Sequence, residues 1–325
     1  MLEDSGQSQG IAAGAPIEQC WIELPLPQLL DSSVLFKELH SLAKGHRPRL
    51  LSAARSGMAI LYVPTNVADE IPAKFARIAS AARVPVESVE AAWWDDYSPY
   101  VRVVDAMPAL ADDRRQGLVD EDADDLPFAD AVALMGPILA FSDDKHLTSR
   151  GLASNGWREV TELTQTLFGV DATIRITPEL MALVISEAAK LARRYPQFAI
   201  PLLLLSAYVL GPYGPERVRL SADRARIIGL HLLRGFIHIL QTRNKASSQI
   251  ASRLVPGSGN EAQRAVVFAL ARKREPVALE ALMSQLRASV DPEQLPLILS
   301  SCPAAVESSE GWQLGRHVSM QNPTE

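Results

Sequence analysis

From residue 22 to residue 141, short apolar runs alternate with stretches whose apolar side chains recur at helical spacing. That alternation is the strongest constraint on the fold, because strands separated by helices pair in parallel through right-handed crossovers. The first run precedes Asp31, with Pro25 and Pro27 weakening its start. Val34, Leu35, Leu39 and Leu42 then follow a helical period. After a break at 45–48, residues 50–55 predict a short helix and MAILYVPT a second strand closed by Pro64. NVADEIPAKFARIA reads as one helix with Asp69 and Glu70 in its first turn, and VPVESVEAAWWDDY as another. Residues 100–107 predict a third strand, and 108–117 a charged connection. A helix then leads through Gly136-Pro137 into a fourth strand, Ile138 to Phe141. The expected class is α/β with a central parallel sheet.

Carboxylates recur where these strands end or these helices begin: Asp31, Glu70, Asp124 or Asp125, and Asp144. Each has a plain structural explanation, since Asp31 or Ser32 suits a helix N-cap and Glu70 suits the positive end of a helix dipole. Four in one alternating unit call for more. Carboxylates held close raise one another's pKa unless a cation compensates. Mg²⁺ or Mn²⁺ fits an incomplete oxygen set that leaves waters and substrate phosphate to fill the shell. Charge is distributed to match, with 13 Lys and Arg against 23 Asp and Glu in residues 1–150 but 19 against 15 in 151–325. An acidic first half can hold cations, and a mildly basic second half can help hold a polyanion. No Ser-His-Asp set, Cys-His pair or Gly-rich phosphate loop is apparent.

LLDSSVL, ARSGMAILYVPTNVADEI, DADDLPFADAVAL and FSDDKHL together resemble the four acidic motifs of the PIN-domain ribonucleases, over about residues 28–150. The resemblance implies a three-layer PIN-like domain that hydrolyses RNA phosphodiesters with Mg²⁺ or Mn²⁺. It carries the metal ligands to Asp31, Glu70, Asp125 and Asp144, and the hydroxyl before the fourth acid to Ser142. The first motif departs from the family, because Asp31-Ser32-Ser33 stands where Asp-Thr-Asn is usual and loses the amide. The third motif offers Asp122, Asp124, Asp125 and Asp130; Asp125 at the helix start is preferred and Asp124 is its close rival. Asp143 competes with Asp144, which the spacing to Lys145 and Leu147 favours. Lys145 is a candidate phosphate contact, though a solvated lysine is the plainer reading.

The remaining chain divides by composition. Residues 1–16 read as a flexible tail without a signal-peptide pattern, 17–170 as the PIN-like domain, and 171–255 as an all-α segment. The apolar run at 195–215 is bracketed by prolines and charges, so it suits a buried helix better than a bilayer span. Residues 260–320 predict three helices and a hairpin, a pattern that resembles a winged helix. Its candidate recognition helix, DPEQLPLILSS, has no Lys or Arg, so DNA binding is expected to be weak and a protein contact or self-association favoured. The rival to the nuclease is therefore an inactive PIN-like regulator acting through this module. Cys20 and Cys302 lie far apart, which suits a reducing, cytoplasmic setting.

Overall fold

The computed structural model describes residues 22–106, 110, 112–174, 234–235, 237–258 and 260–318. The expected tail at 1–16, the run at 195–215 and most of the helical segment at 171–255 lie outside the described residues. Four parallel strands form the centre: β1 (Leu26–Leu30), β2 (Ala59–Pro64), β3 (Val101–Val104) and β4 (Leu139–Phe141), in the order β4-β1-β2-β3. Every residue of these strands is buried, as expected of parallel strands covered on both faces. Leu26, Leu30, Leu61 and Val63 face one core, while Leu29, Ile60 and Tyr62 face the other.

The first face carries α1 (Ser32–Ala43), α2 (Arg49–Arg55), α3 (Thr65–Ala73), α4 (Phe75–Ala82) and α5 (Val86–Ala91). The expected single helix across 66–79 is two helices parted at Lys74. Pro72 lacks an N–H and crowds the carbonyl four residues back, and the helix ends one residue later, at Ala73. Because α3 starts at Thr65, Asp69 and Glu70 fall beyond its first turn, which removes the dipole explanation for Glu70. The expected connection at 108–117 includes part of a helix, α6 (Asp112–Val119).

The second face carries α7 (Leu126–Met135), which leads through β4 into α8 (Lys145–Ser149). Residues 157–174 (α9) and 237–251 (α10) are helical, with Trp157, Val160, Leu167 and Ile250 in the first core. The three helices expected at 262–300 are α11 (Glu261–Ala271), α12 (Leu279–Leu286) and α13 (Leu295–Ser301), followed by a hairpin of β5 (Ala305–Ser308) and β6 (Gly311–Leu314). This segment does not stand apart as a module. Val266, Leu270, Leu282 and Leu299 share the second core with Leu29, Tyr62 and Phe128. A two-residue strand, β7 (Arg316–His317), pairs antiparallel with β3 and closes the sheet edge. Two of the three cations at 272–274 are engaged at this junction: Arg274 donates to the carbonyls of Ala54 and Ala59, and Arg272 to that of Glu23. Arg102 donates in return to the Lys273 and Arg274 carbonyls. Among the described residues, no helix is long and apolar enough to cross a membrane.

Candidate functional site

β1 and β4 are neighbours, and both end at the same level, where Asp31 N–H donates to the Phe141 carbonyl at 3.0 Å. Asp31 is the N-cap of α1, as its position suggested, and its side chain accepts from Ser33 N at 3.3 Å. It does more than cap. The same oxygen, Oδ2, accepts from Ser33 Oγ at 2.6 Å and from Ser142 Oγ at 2.8 Å. Ser142 Oγ also accepts from Asp144 N at 2.9 Å, and Ser33 Oγ from Asp143 N at 3.0 Å. Two serines thus lace the β1–α1 turn to the β4–α8 turn. Asp144 caps α8 by accepting from His146 N at 2.7 Å. Asp31 and Asp144 therefore sit at the carboxyl ends of adjacent central strands, where open α/β sheets bind ligands.

The third acidic group approaches from a 3₁₀ turn, Ala123–Asp125, that opens α7. Asp122 caps this turn through Asp124 N at 3.1 Å. The Asp124 carbonyl accepts from Asn66 Nδ2 at 3.1 Å. Asp125 occupies the α7 N-cap position without making a capping bond, and its Oδ2 is buried with no hydrogen-bond partner. Burial first, and then the charges of Asp144, Asp122 and Asp31, push its carboxyl up to about 6. Asp130 is excluded from the cluster, because it is buried against Arg115 at 2.6 Å and accepts from Leu110 N at 3.0 Å.

Asp31, Glu70, Asp122, Asp124, Asp125 and Asp144 all line one cleft of about 620 Å³. Glu70 reaches it from α3 while ion-paired with Lys74. The four acids singled out by sequence therefore share one cavity, together with Asp122 and Asp124. Ser142 is fully buried, so its place is beneath the cleft, holding Asp31 and the Asp144 backbone, and not on the substrate side. Lys145 is exposed and lies outside the lining, as does Asp143, which pairs with the lining residue Lys37 at 2.8 Å.

Seven lining residues escaped sequence reasoning: Phe36, Lys37, Asn66, Val67, Lys74, Arg77 and Phe128. Asn66 had a readable signal, since it follows strand β2 as Asp31 follows β1. Its Oδ1 is buried without a partner, while its Nδ2 donates to the Asp124 carbonyl. Lys74, at the break between α3 and α4, and Arg77, on α4, line the same cleft.

The donor set is hard oxygen throughout, and Asp125 brings an unpartnered buried oxygen under mutual repulsion. Both features suit a divalent cation such as Mg²⁺ or Mn²⁺, with Asp31, Asp125, Asp144 and Glu70 as the residues able to hold it. Among the described residues, no three His, Cys, Asp or Glu side chains stand together as a finished ligand set. The acids line the cleft without closing on one point. Comparison with protein-family models, characterised proteins and solved structures gave no match.

Proposed function

We propose that this cleft is the active site of a Mg²⁺- or Mn²⁺-dependent ribonuclease with a PIN-like fold. The observation that supports it most is the convergence of Asp31, Glu70, Asp125 and Asp144 on one cleft at the strand ends, with an Asp125 oxygen left unpartnered. A bound divalent ion supplies Lewis acidity toward a phosphoryl oxygen and lowers the pKa of a coordinated water. The chain's own residues prepare the place. Ser33 and Ser142 fix the Asp31 carboxylate, and the α8 cap fixes Asp144. Asp125 is kept without a protein partner, so its charge is available to a cation. Lys74 pairs with Glu70 within the cleft lining. The C-terminal segment serves as one layer of the fold, because the cationic side chains of Arg272 and Arg274 are occupied by backbone carbonyls.

The test is cleavage of single-stranded RNA by the full chain with Mn²⁺, compared with Asp144→Asn and Asp125→Asn. Each substitution should cost more than the roughly 10–100-fold typical of outer-shell changes around a metal. Cleavage that persists in chelator, or that Asp144→Asn leaves unchanged, sinks the reading.

A further inference from the structure

One wall of the cleft carries an aromatic ring and three cations. Phe36 on α1 and Arg77 on α4 both line it, and the Arg77 guanidinium carbon lies 5.6 Å from the centre of the Phe36 ring. The two other cations of this wall are occupied, Lys37 by Asp143 and Lys74 by Glu70. Among the described residues, Arg77 makes no ion pair, and it is exposed. Its plane is therefore supported by an aromatic ring and not by a carboxylate. A guanidinium so held offers a flat face for stacking and N–H donors for a phosphate oxygen. Phe36 follows Asp31 by five residues on one helix, about 7–8 Å along its axis. That is the reach of one nucleotide from the acidic cluster.

We infer that Phe36 and Arg77 form a stacking subsite for one unpaired base beside the phosphate that the acidic cluster engages. The inference rests on the nuclease reading for its class of ligand, single-stranded RNA. Stacking on a ring and a guanidinium requires an exposed base face and tolerates any base, so the subsite selects for strand state and not for sequence. A duplex keeps its bases inside the stack and cannot use it.

The experiment is fluorescence anisotropy of a labelled single-stranded RNA of about ten nucleotides with the full chain in EDTA, where no cleavage intervenes. Phe36→Leu and Arg77→Lys should each weaken binding roughly tenfold, the first by removing the ring and the second by replacing the plane with a point charge. An RNA duplex of the same length should bind more weakly to the wild type and respond to neither change. Thermal melts check that each variant is folded; if Phe36→Leu is not, Arg77→Lys carries the test. Wild-type affinity in both variants, or a duplex bound as tightly as the single strand, overturns the subsite. Absence of Mn²⁺-dependent cleavage alongside the expected binding pattern would remove the nuclease reading alone. Cleavage with unaltered binding would remove the subsite alone.

Discussion

Glu38 is a carboxylate whose environment disfavours its charge. It lies in the first core on α1, only 2% exposed, and accepts from Leu50 N at 3.0 Å and Leu51 N at 3.4 Å, with Tyr97 Oη at 3.5 Å. Those bonds, with a further one from the Arg49 backbone, favour the carboxylate, but burial outweighs them and lifts the carboxyl from 4.5 to about 7. The sign follows from proton binding. Between these two values the native state holds a proton that the unfolded chain has released, so stability falls as pH rises through that window. The full effect is on the order of 3 kcal/mol. Glu38→Gln should therefore change stability little near pH 4 and raise it near pH 8, as read by urea unfolding at both values. A pH-independent difference between variant and wild type counts against this account. Asp31 shows how much a single position reveals. Its capping role was readable from the strand-to-helix change, but its bond to Ser142, 111 residues away, was not. Local chemistry is written in the neighbours of a residue; a partner contributed by an adjacent strand is written only in the fold.

At the level of elements, the corner between α7 and β4 is the tightest in the sheet's surroundings. A Cβ on Gly136 would lie 2.1 Å from Gly257 N and 2.4 Å from Gly257 Cα, both backbone atoms that cannot swing aside. Gly136 has an ordinary φ of −64°, so contact and not conformation requires glycine here. Gly136→Ala should cost about 3 kcal/mol, at the upper end for overpacking, and a thermal melt will register it as a fall of several degrees. An unchanged melt would mean that the 256–258 segment moves freely away from α7. The elements themselves were largely legible. Four apolar runs became the four parallel strands, since strands buried on both faces show as continuous apolar sequence. The misread elements had weaker marks. In α6 the sequence DDRRQGLV carries no apolar stripe, and Leu118 is its described contribution to the second core. The break at Lys74 was hidden because helical spacing continues across it from Ile71 to Phe75 and Ile78, all buried.

For the whole molecule, the second core ties together residues far apart in sequence. Tyr62 is fully buried and donates to the Ala271 carbonyl at 3.0 Å, and Phe128 and Val132 share a core with Val266 and Leu270. The hairpin and helices of 260–318 were foreseeable from local pattern, whereas their union with the sheet was not, because nothing in an apolar helix face names its partner. A chain ending at Ser258 should expose that face and lose its cooperative unfolding transition, while the full chain keeps it. Calorimetry distinguishes the outcomes, and a sharp transition in the shortened chain would mean that the N-terminal layers fold by themselves.

The pairing of β7 with β3 also carries a consequence in time. Arg316 and His317 meet Val103 and Arg102 more than two hundred residues after those were synthesised. On the ribosome, β3 waits as an open edge and Tyr62 as an uncovered ring through most of translation. Such distant closures slow folding, because a long loop must be ordered before its contacts form. Until residues 316–317 emerge, the nascent sheet keeps an unpaired border, and an edge so exposed is open to pairing with other chains.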